Sequence, residues 1–487
     1  MPRQIWLNQQ HVAVTLSRFG FNLFLTGMAI GEKLRNISLT VEQGTETFTP
    51  AFVSLATGLL VPRLAAQVPA PFVKNLDNGF AICATFSPSD ARAKVGLATV
   101  VARVSWTDEV EETLRLCTVL LDPINMCEFD RPLGSDTIGI ALATYNPDPA
   151  LFRKQIESIR GQSHVDWVCA ISDDGSAPAL VTEMRAVIGK DERFALSLAP
   201  TNSGFYRNFE RAISLLPEEC TWIACADQDD EWLPYKLEVL LQEAKRSQSP
   251  LVFSDMEVYS NDDRKLSDTF WVYRRLEIEN PTAIAVANTA TGMAMLFRSS
   301  LLSTSLPFPG LPGTAYHDRW LTLAALAQGK LAYVNKPLVR YIQHGGNHTG
   351  VFKRSPKAVA LIGEFAACLP LAALALLRPS LRNTLLRRLE HCANWTSIEL
   401  LSLSLQIEAL QQRLPRDQWR RDTWDQFRTM AMRPSSIIFQ VPFKSLSDPH
   451  RRYILVGFAL GGMFRSLTLF ALRCAARLRT PSFPRAE

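Results

Sequence analysis

The stretch ACADQDDEWLP, residues 224–234, crowds three carboxylates into four positions, directly after an apolar run and directly before a proline. Like charges a few ångströms apart repel, and each raises its neighbour's pKa unless a cation or a set of donors offsets the repulsion. The run that leads into it, TWIACA (221–226), has the length and character of a buried strand, so the charge falls at a strand end. Two carboxylates one residue apart can face one crevice there. A hard divalent cation, Mg2+ or Mn2+, takes carboxylate oxygens together with those of a phosphate. The alternatives are a solvated acidic turn, or Asp230 capping a helix that Pro234 begins. An EF-hand loop is excluded, because Trp232 stands where that loop needs glycine.

Working outward, short apolar strands alternate with amphipathic helices from Thr137 onward, the sign of a mostly parallel sheet in an α/β domain. IGIALATYN (138–146) reads as a strand. Asp148 and Pro149 then supply an N-cap and a first helical position, with Leu151, Ile156 and Ile159 on one side of the helix. WVCAIS (167–172) is the next strand and ends in Asp173-Asp174-Gly175-Ser176; LVFSDMEVYS (251–260) is a further one. In open α/β sheets ligands bind outside the carboxyl ends of the strands, which is where the acidic clusters fall. Four weaker signals follow the same path: NSGFYRNF (202–209), whose Phe205, Phe209, Ile213 and Leu216 direct a helix inward; TGMAMLF (291–297); HDRW (317–320); and YIQHGGN (341–347). Taken singly, each reads as a turn, a strand or a structural histidine.

Their order resembles that of family 2 glycosyltransferases of the GT-A fold, a Rossmann-like nucleotide-sugar-binding architecture. TYNP, DDGS, NSGF, DQDDEW, TG, HDRW and QHGGN are most similar to the bacterial rhamnosyltransferase-type enzymes of surface-polysaccharide synthesis, with their NxGFxxNF, DQDDxWxPxK and HDxW stretches. The resemblance covers residues 137 to 350 and implies the following roles. Thr144, Tyr145 and Asn146, with Asp173 or Asp174, would hold the base and ribose of a nucleotide sugar, and Asn202 and Gly204 join the donor-binding set. Asp227 would sit near ribose and phosphate, and Asp229 would bind the metal. Gly292 would lie in a loop near the donor sugar. Asp318 matches the general base, and His344 the late histidine that completes the metal site. Asp230, His317 and Trp320 are further candidates, since the acidic turn offers a second ligand and His317 stands where many relatives carry Glu. The implied activity is inverting, metal-dependent transfer from a nucleotide-diphosphate sugar. A sugar-1-phosphate nucleotidyltransferase would open with a Gly-rich loop after its first strand, where this chain has LATYNPDP without Gly. An inactive glycan- or nucleotide-binding relative is the remaining alternative.

With 487 residues the chain is too long for one ordinary core. It divides into a β-rich segment (1–135), the α/β domain (136–350) and a helical, basic region (351–487). In the first, NISLTVEQGTE puts Ile37, Leu39 and Val41 on one face, and VGLATVVARVSW (95–106) alternates likewise, so a small antiparallel domain is expected. From Val351 onward 21 Lys and Arg face 9 Asp and Glu. This asymmetry suits an anionic surface, which membrane lipid fits as well as nucleic acid does; the expected partner is an anionic membrane, contacted peripherally, and no nucleic acid. The apolar runs 358–377 and 454–472 are each about long enough to span a bilayer, yet carry Glu364 with Pro370, and Arg465, so buried or interfacial helices are expected. Nine cysteines without any CxxC pair point to free thiols. MPRQIWLNQQHVAV lacks the apolar core of a signal peptide. A cytoplasmic location, peripheral at the inner membrane face, and a glycan or lipid-linked acceptor are the corresponding expectations.

Overall fold

The computed structural model describes residues 3–7, 11–30, 32–59, 79–87, 96–124, 126–271, 278, 280–310, 316–344, 400–432 and 455. The N-terminal strands are β1 (Gln4–Leu7), β2 (His11–Leu16), β3 (Phe21–Ile30), β4 (Leu34–Gln43), β5 (Glu46–Phe48), β6 (Phe52–Leu59), β7 (Gly79–Phe86), β8 (Gly96–Trp106) and β9 (Glu111–Pro123). They form a four-stranded sheet, β1-β3-β7-β6, facing a five-stranded one, β2-β9-β8-β4-β5. Inward residues of both sheets, among them Leu23, Ile82, Val41, Val104 and Trp106, make one sandwich core. As the alternation requires, Ile37, Leu39 and Val41 point into it while Ser38 is exposed. The expected antiparallel domain needs one correction, because β2 and β9 pair in parallel. The strands before and after β2 in the chain, β1 and β3, both belong to the other sheet, so no hairpin within its own sheet fixes its direction.

The central domain starts at β10 (Ile138–Thr144). Then come α1 (Pro149–Arg160), β11 (Trp167–Asp173), α2 (Pro178–Ile188), β12 (Phe194–Leu198), α3 (Phe205–Ser214), β13 (Trp222–Ala226), β14 (Glu231–Trp232) and α4 (Lys236–Ser247). β15 (Leu251–Ser260), β16 (Lys265–Ser267), α5 (Pro281–Val286), a 3-10 turn (Gly292–Ala294), β17 (Met295–Arg298), α6 (Leu302–Ser305), α7 (His317–Gln328) and β18 (Ala332–Gln343) complete it. The sheet order is β12-β11-β10-β13-β17-β15-β18-β14, with β16 beside β15. β12, β11, β10 and β13 are parallel, as expected. β17 runs antiparallel to both β13 and β15, and is reached from β15 through β16, α5 and the 3-10 turn. Every residue of β10, β11 and β13 is buried, since helices cover both faces.

α1, α2 and α4 pack on one face through Phe152, Ile156, Met184, Val187, Leu237 and Leu240. On the other face α3 and α7 are joined by two C-terminal helices, α8 (Leu400–Arg413) and α9 (Arg421–Met432), whose Leu403, Leu410 and Phe427 share a core with Phe209, Phe297 and Trp320. The sandwich abuts this same side: Asn22 Nδ2 donates to Pro307 O at 3.0 Å, Arg18 Nη1 to Leu216 O at 2.9 Å, and the Cys127 amide to Leu215 O at 2.7 Å. Among the described residues no helix is long and apolar enough to cross a membrane. The runs 358–377 and 454–472 lie outside them, save Leu455. The described cysteines, Cys83, Cys117, Cys127, Cys169, Cys220 and Cys225, are all free.

Candidate active site

The acidic turn leaves β13 with its three carboxylates in different surroundings. Asp227 and Asp229 are partly exposed, whereas Asp230 is 1% exposed. Asp230 does not cap a helix: α4 begins at Lys236, two residues after Pro234, and Tyr235 is its N-cap without a side-chain bond. Instead Asp230 turns inward and accepts from the Ile342 amide at 3.1 Å, which fixes the end of β18 against the turn. That strand end carries His344, whose Nε2 lies 2.7 Å from Asp229 Oδ2. The hydrogen bond to Asp229 holds the His344 pKa above its ordinary value.

Burial first, then Asp229 and Asp318, pushes Asp227 well above the usual carboxylate range, and burial with Asp229 and Asp227 does the same to Asp230. The chain places one cation of its own beneath this cluster. Lys236 is fully buried, its Nζ 3.0 Å from the centre of the Trp232 ring, and its charge opposes the upward shift at both carboxyls. Burial in turn drives the lysine pKa down. Lys236 ends the DQDDEWLPYK stretch.

The loops after β10 and β11 form the neighbouring wall. Thr144 Oγ1 donates to Asp173 Oδ1 at 3.1 Å, and the Ser176 amide to Asp173 Oδ2 at 2.9 Å. Asp174 receives the Ser203 and Gly204 amides, both at 2.8 Å, and its carbonyl receives Asn202 Nδ2 at 3.1 Å. Gly204 has φ +85°, a left-handed conformation that glycine adopts without strain. Asp173 and Asp174 are each 1% exposed, so these two carboxylates hold the loops in place. The side chains at the lip are Tyr145, 49% exposed, and Asn146, whose Oδ1 accepts from the Ala177 amide. The Tyr145 amide donates to Gln228 Oε1 at 2.8 Å and thereby ties this wall to the acidic turn.

Asp318 lies in the first turn of α7, where helix amides favour negative charge. The amides of Arg319 (2.6 Å) and Gly292, with the Asn288 side chain, donate to its carboxylate. Burial outweighs them and raises its pKa to about 6. The other two candidates of this motif point away. His317 is buried against Phe209, and Trp320 is fully buried with Nε1 donating to Ser305 O at 2.8 Å. Gly292 lies against the His317 ring, where a Cβ would fall far inside contact distance.

The structure thus gathers Asp227, Asp229, His344 and Asp318 into one cluster past the end of β13, and the loops that carry Thr144, Asp173, Asp174, Asn202 and Gly204 are bonded to one another beside it. Four contributors escaped the reading of the sequence: Gln228, Lys236, Asn288, and Asn208, whose Nδ2 donates to Thr144 O at 3.0 Å. Lys236 and Asn208 sit inside quoted motifs and were visible there as letters; Asn288 had no local signal.

Residues 140–303 match the family model of Glycosyl transferase family 2. The uncharacterized protein y4gI of Sinorhizobium fredii is 31% identical over 106 residues, which are 22% of this chain and 11% of that protein. The matched part therefore spans about a tenth of that relative's length. Among solved structures, S. aureus TarS 1-349 in complex with UDP-GlcNAc is similar at 14% identity and TM-score 0.38, over 68% of this chain and 92% of that one. TarS 1-349 crystallised alone gives 13% and 0.36, over 68% and 91%. The match to that family model runs from β10 into α6, and the central α/β domain that contains it has the GT-A fold.

Proposed function

We propose that the protein is an inverting glycosyltransferase that moves a sugar from a nucleotide-diphosphate sugar to a hydroxyl group of a glycan or lipid-linked acceptor. The observation that carries this reading is Asp318: a carboxyl with its pKa raised to about 6, anchored by the Arg319 and Gly292 amides, and close enough to Asp227 to raise that residue's pKa too. In the proposed reaction its carboxylate takes the proton of the acceptor hydroxyl. The acceptor oxygen forms a bond to the anomeric carbon from the opposite side, and the bond to the diphosphate oxygen breaks with its electron pair leaving on the phosphate. A base so placed contributes about 10²- to 10⁴-fold. The rest of the rate must come from holding two substrates together and from stabilising the departing charge.

A divalent cation, Mg2+ or Mn2+, fits the acidic turn as a site with few protein ligands. Among the described residues no three His, Cys, Asp or Glu side chains converge on one point, but Asp229 and His344 meet at 2.7 Å, and Asp230 Oδ2 is buried without a partner. Asp229 and His344 would hold the ion, with diphosphate oxygens completing its shell. Such an ion, when bound, supplies countercharge to the leaving group. Tyr145 and Asn146, exposed at the lip, are proposed to contact the nucleotide. A rhamnosyl donor and a role in surface-polysaccharide synthesis follow from the motif resemblance, and a membrane-linked acceptor from the basic C-terminal sequence.

The test is a nucleotide-sugar panel that includes dTDP-rhamnose, titrated by calorimetry with and without Mn2+ against wild type, Asp229→Asn and Asp318→Asn. One donor should bind with Mn2+, lose that dependence in Asp229→Asn, and still bind Asp318→Asn, which should transfer about 10²- to 10⁴-fold more slowly. Undiminished turnover in Asp318→Asn would remove the base from the scheme.

A further inference from the structure

His317 is an expensive side chain in its position. It is 6% exposed, and among the described residues neither ring nitrogen has a hydrogen-bond partner. A buried polar group without a partner costs on the order of 1–3 kcal/mol, which an aliphatic residue of the same volume would avoid. Burial lowers the imidazole pKa to about 3, so the ring is neutral and adds no charge beside Asp318. Its planar shape accounts for the position better than its chemistry does. One face stacks on Phe209 of α3, with ring centres 3.6 Å apart and planes inclined by 21°. The edge bearing Nε2 and Cε1 occupies the place a Gly292 side chain would take. The Gly292 amide, on the same residue, donates to the carboxylate of Asp318, the residue after His317.

We propose that Gly292 and His317 are a matched positioning pair: the imidazole, wedged between Phe209 and the bare Cα of Gly292, sets the spacing at which the Gly292 amide meets Asp318. This gives Gly292 a reason other than clearance for a donor sugar. The pair rests on the reading of Asp318 as base only for its catalytic consequence.

The experiment measures the titration of Asp318 from the pH dependence of urea unfolding. The full chain is compared with Gly292→Ala, His317→Ala and the double variant, each paired with the same background carrying Asp318→Asn. Gly292→Ala pushes against the ring and withdraws the amide, so the Asp318 midpoint should rise by about one pH unit, because a lost donor disfavours the charged form. His317→Ala should also raise it, by removing the wedge. The double variant should return toward the wild-type midpoint and recover stability relative to Gly292→Ala, a coupling that independent sites do not show. A midpoint unmoved by Gly292→Ala, or a double variant no better than Gly292→Ala, overturns the proposal. If Gly292→Ala fails to fold, a folded double variant upholds the pair and an unfolded one sinks it. Transfer assays of Asp318→Asn report separately: full turnover there, with the coupling intact, would reject the base and leave the positioning pair standing.

Discussion

Asp318 gains a proton on folding more readily than it does in the unfolded chain, because burial lifts its pKa from the ordinary 3.8 to about 6. In that interval the folded state binds more protons at this group than the unfolded one, so the contribution of Asp318 to stability is greatest below about pH 4 and is lost as pH rises through 6. Asp318→Asn should therefore melt at a higher temperature than wild type at pH 8, with the gap closing below pH 4. Thermal scans at pH 4, 6 and 8 check this, and a gap that widens toward acid would contradict the sign. Turnover should follow the opposite trend, rising as the carboxyl deprotonates through about pH 6. The same residue thus lowers stability where it works. At this scale the sequence showed which residue types were present but not which way they faced. Asp229 and Asp230 are adjacent letters, yet one meets His344 and the other holds the Ile342 amide underneath.

Loops and helix ends follow local rules, and these were legible. Asp148 caps α1 through the Ala150 and Leu151 amides with Pro149 in the first turn, as its spacing predicts. Likewise the helix after Gly204 buries Phe209 and Ile213. The reach of Asp174 into the NSGF loop was not, because the pairing spans the β12 strand. Asp174→Ala would orphan the Ser203 and Gly204 amides and the Ser203 hydroxyl. The expected loss is about 1–3 kcal/mol, with weaker donor binding as the loop loosens. Urea denaturation and amide exchange at Gly204 provide the check, and an unchanged exchange rate there would show that Asp174 does not hold the loop.

Across the whole molecule, Arg413 at the end of α8 joins three parts. Its Nη1 donates to Thr304 O at 3.3 Å and Ser305 O at 3.2 Å, its Nη2 to Thr85 Oγ1 of the sandwich at 3.4 Å, and the guanidinium lies 5.7 Å from the centre of the Trp320 ring. Arg413→Ala should destabilise the chain by about 2–4 kcal/mol and separate one unfolding transition into two. Arg413→Lys should not restore it, since an ammonium lacks the planar fork. A urea midpoint equal to wild type would show that the clamp contributes nothing.

The sequence by itself determined the alternation of strands and helices, the caps, the two-faced strands of the sandwich, and the order of acidic and glycine-bearing loops at one end of the central sheet. These depend on periods of two and 3.6 residues and on turn chemistry within a few positions. Only the tertiary structure decided the antiparallel insertion of β17, the parallel pairing of β2 with β9, the countercharge from Lys236, and the contact of Gly292 with a ring 25 positions away. It also brought α8 and α9 into the core beside α7. The physical reason is that a side chain's exposure and partners are set by whatever elements pack around it, and nearest-neighbour pattern carries no record of which elements those are.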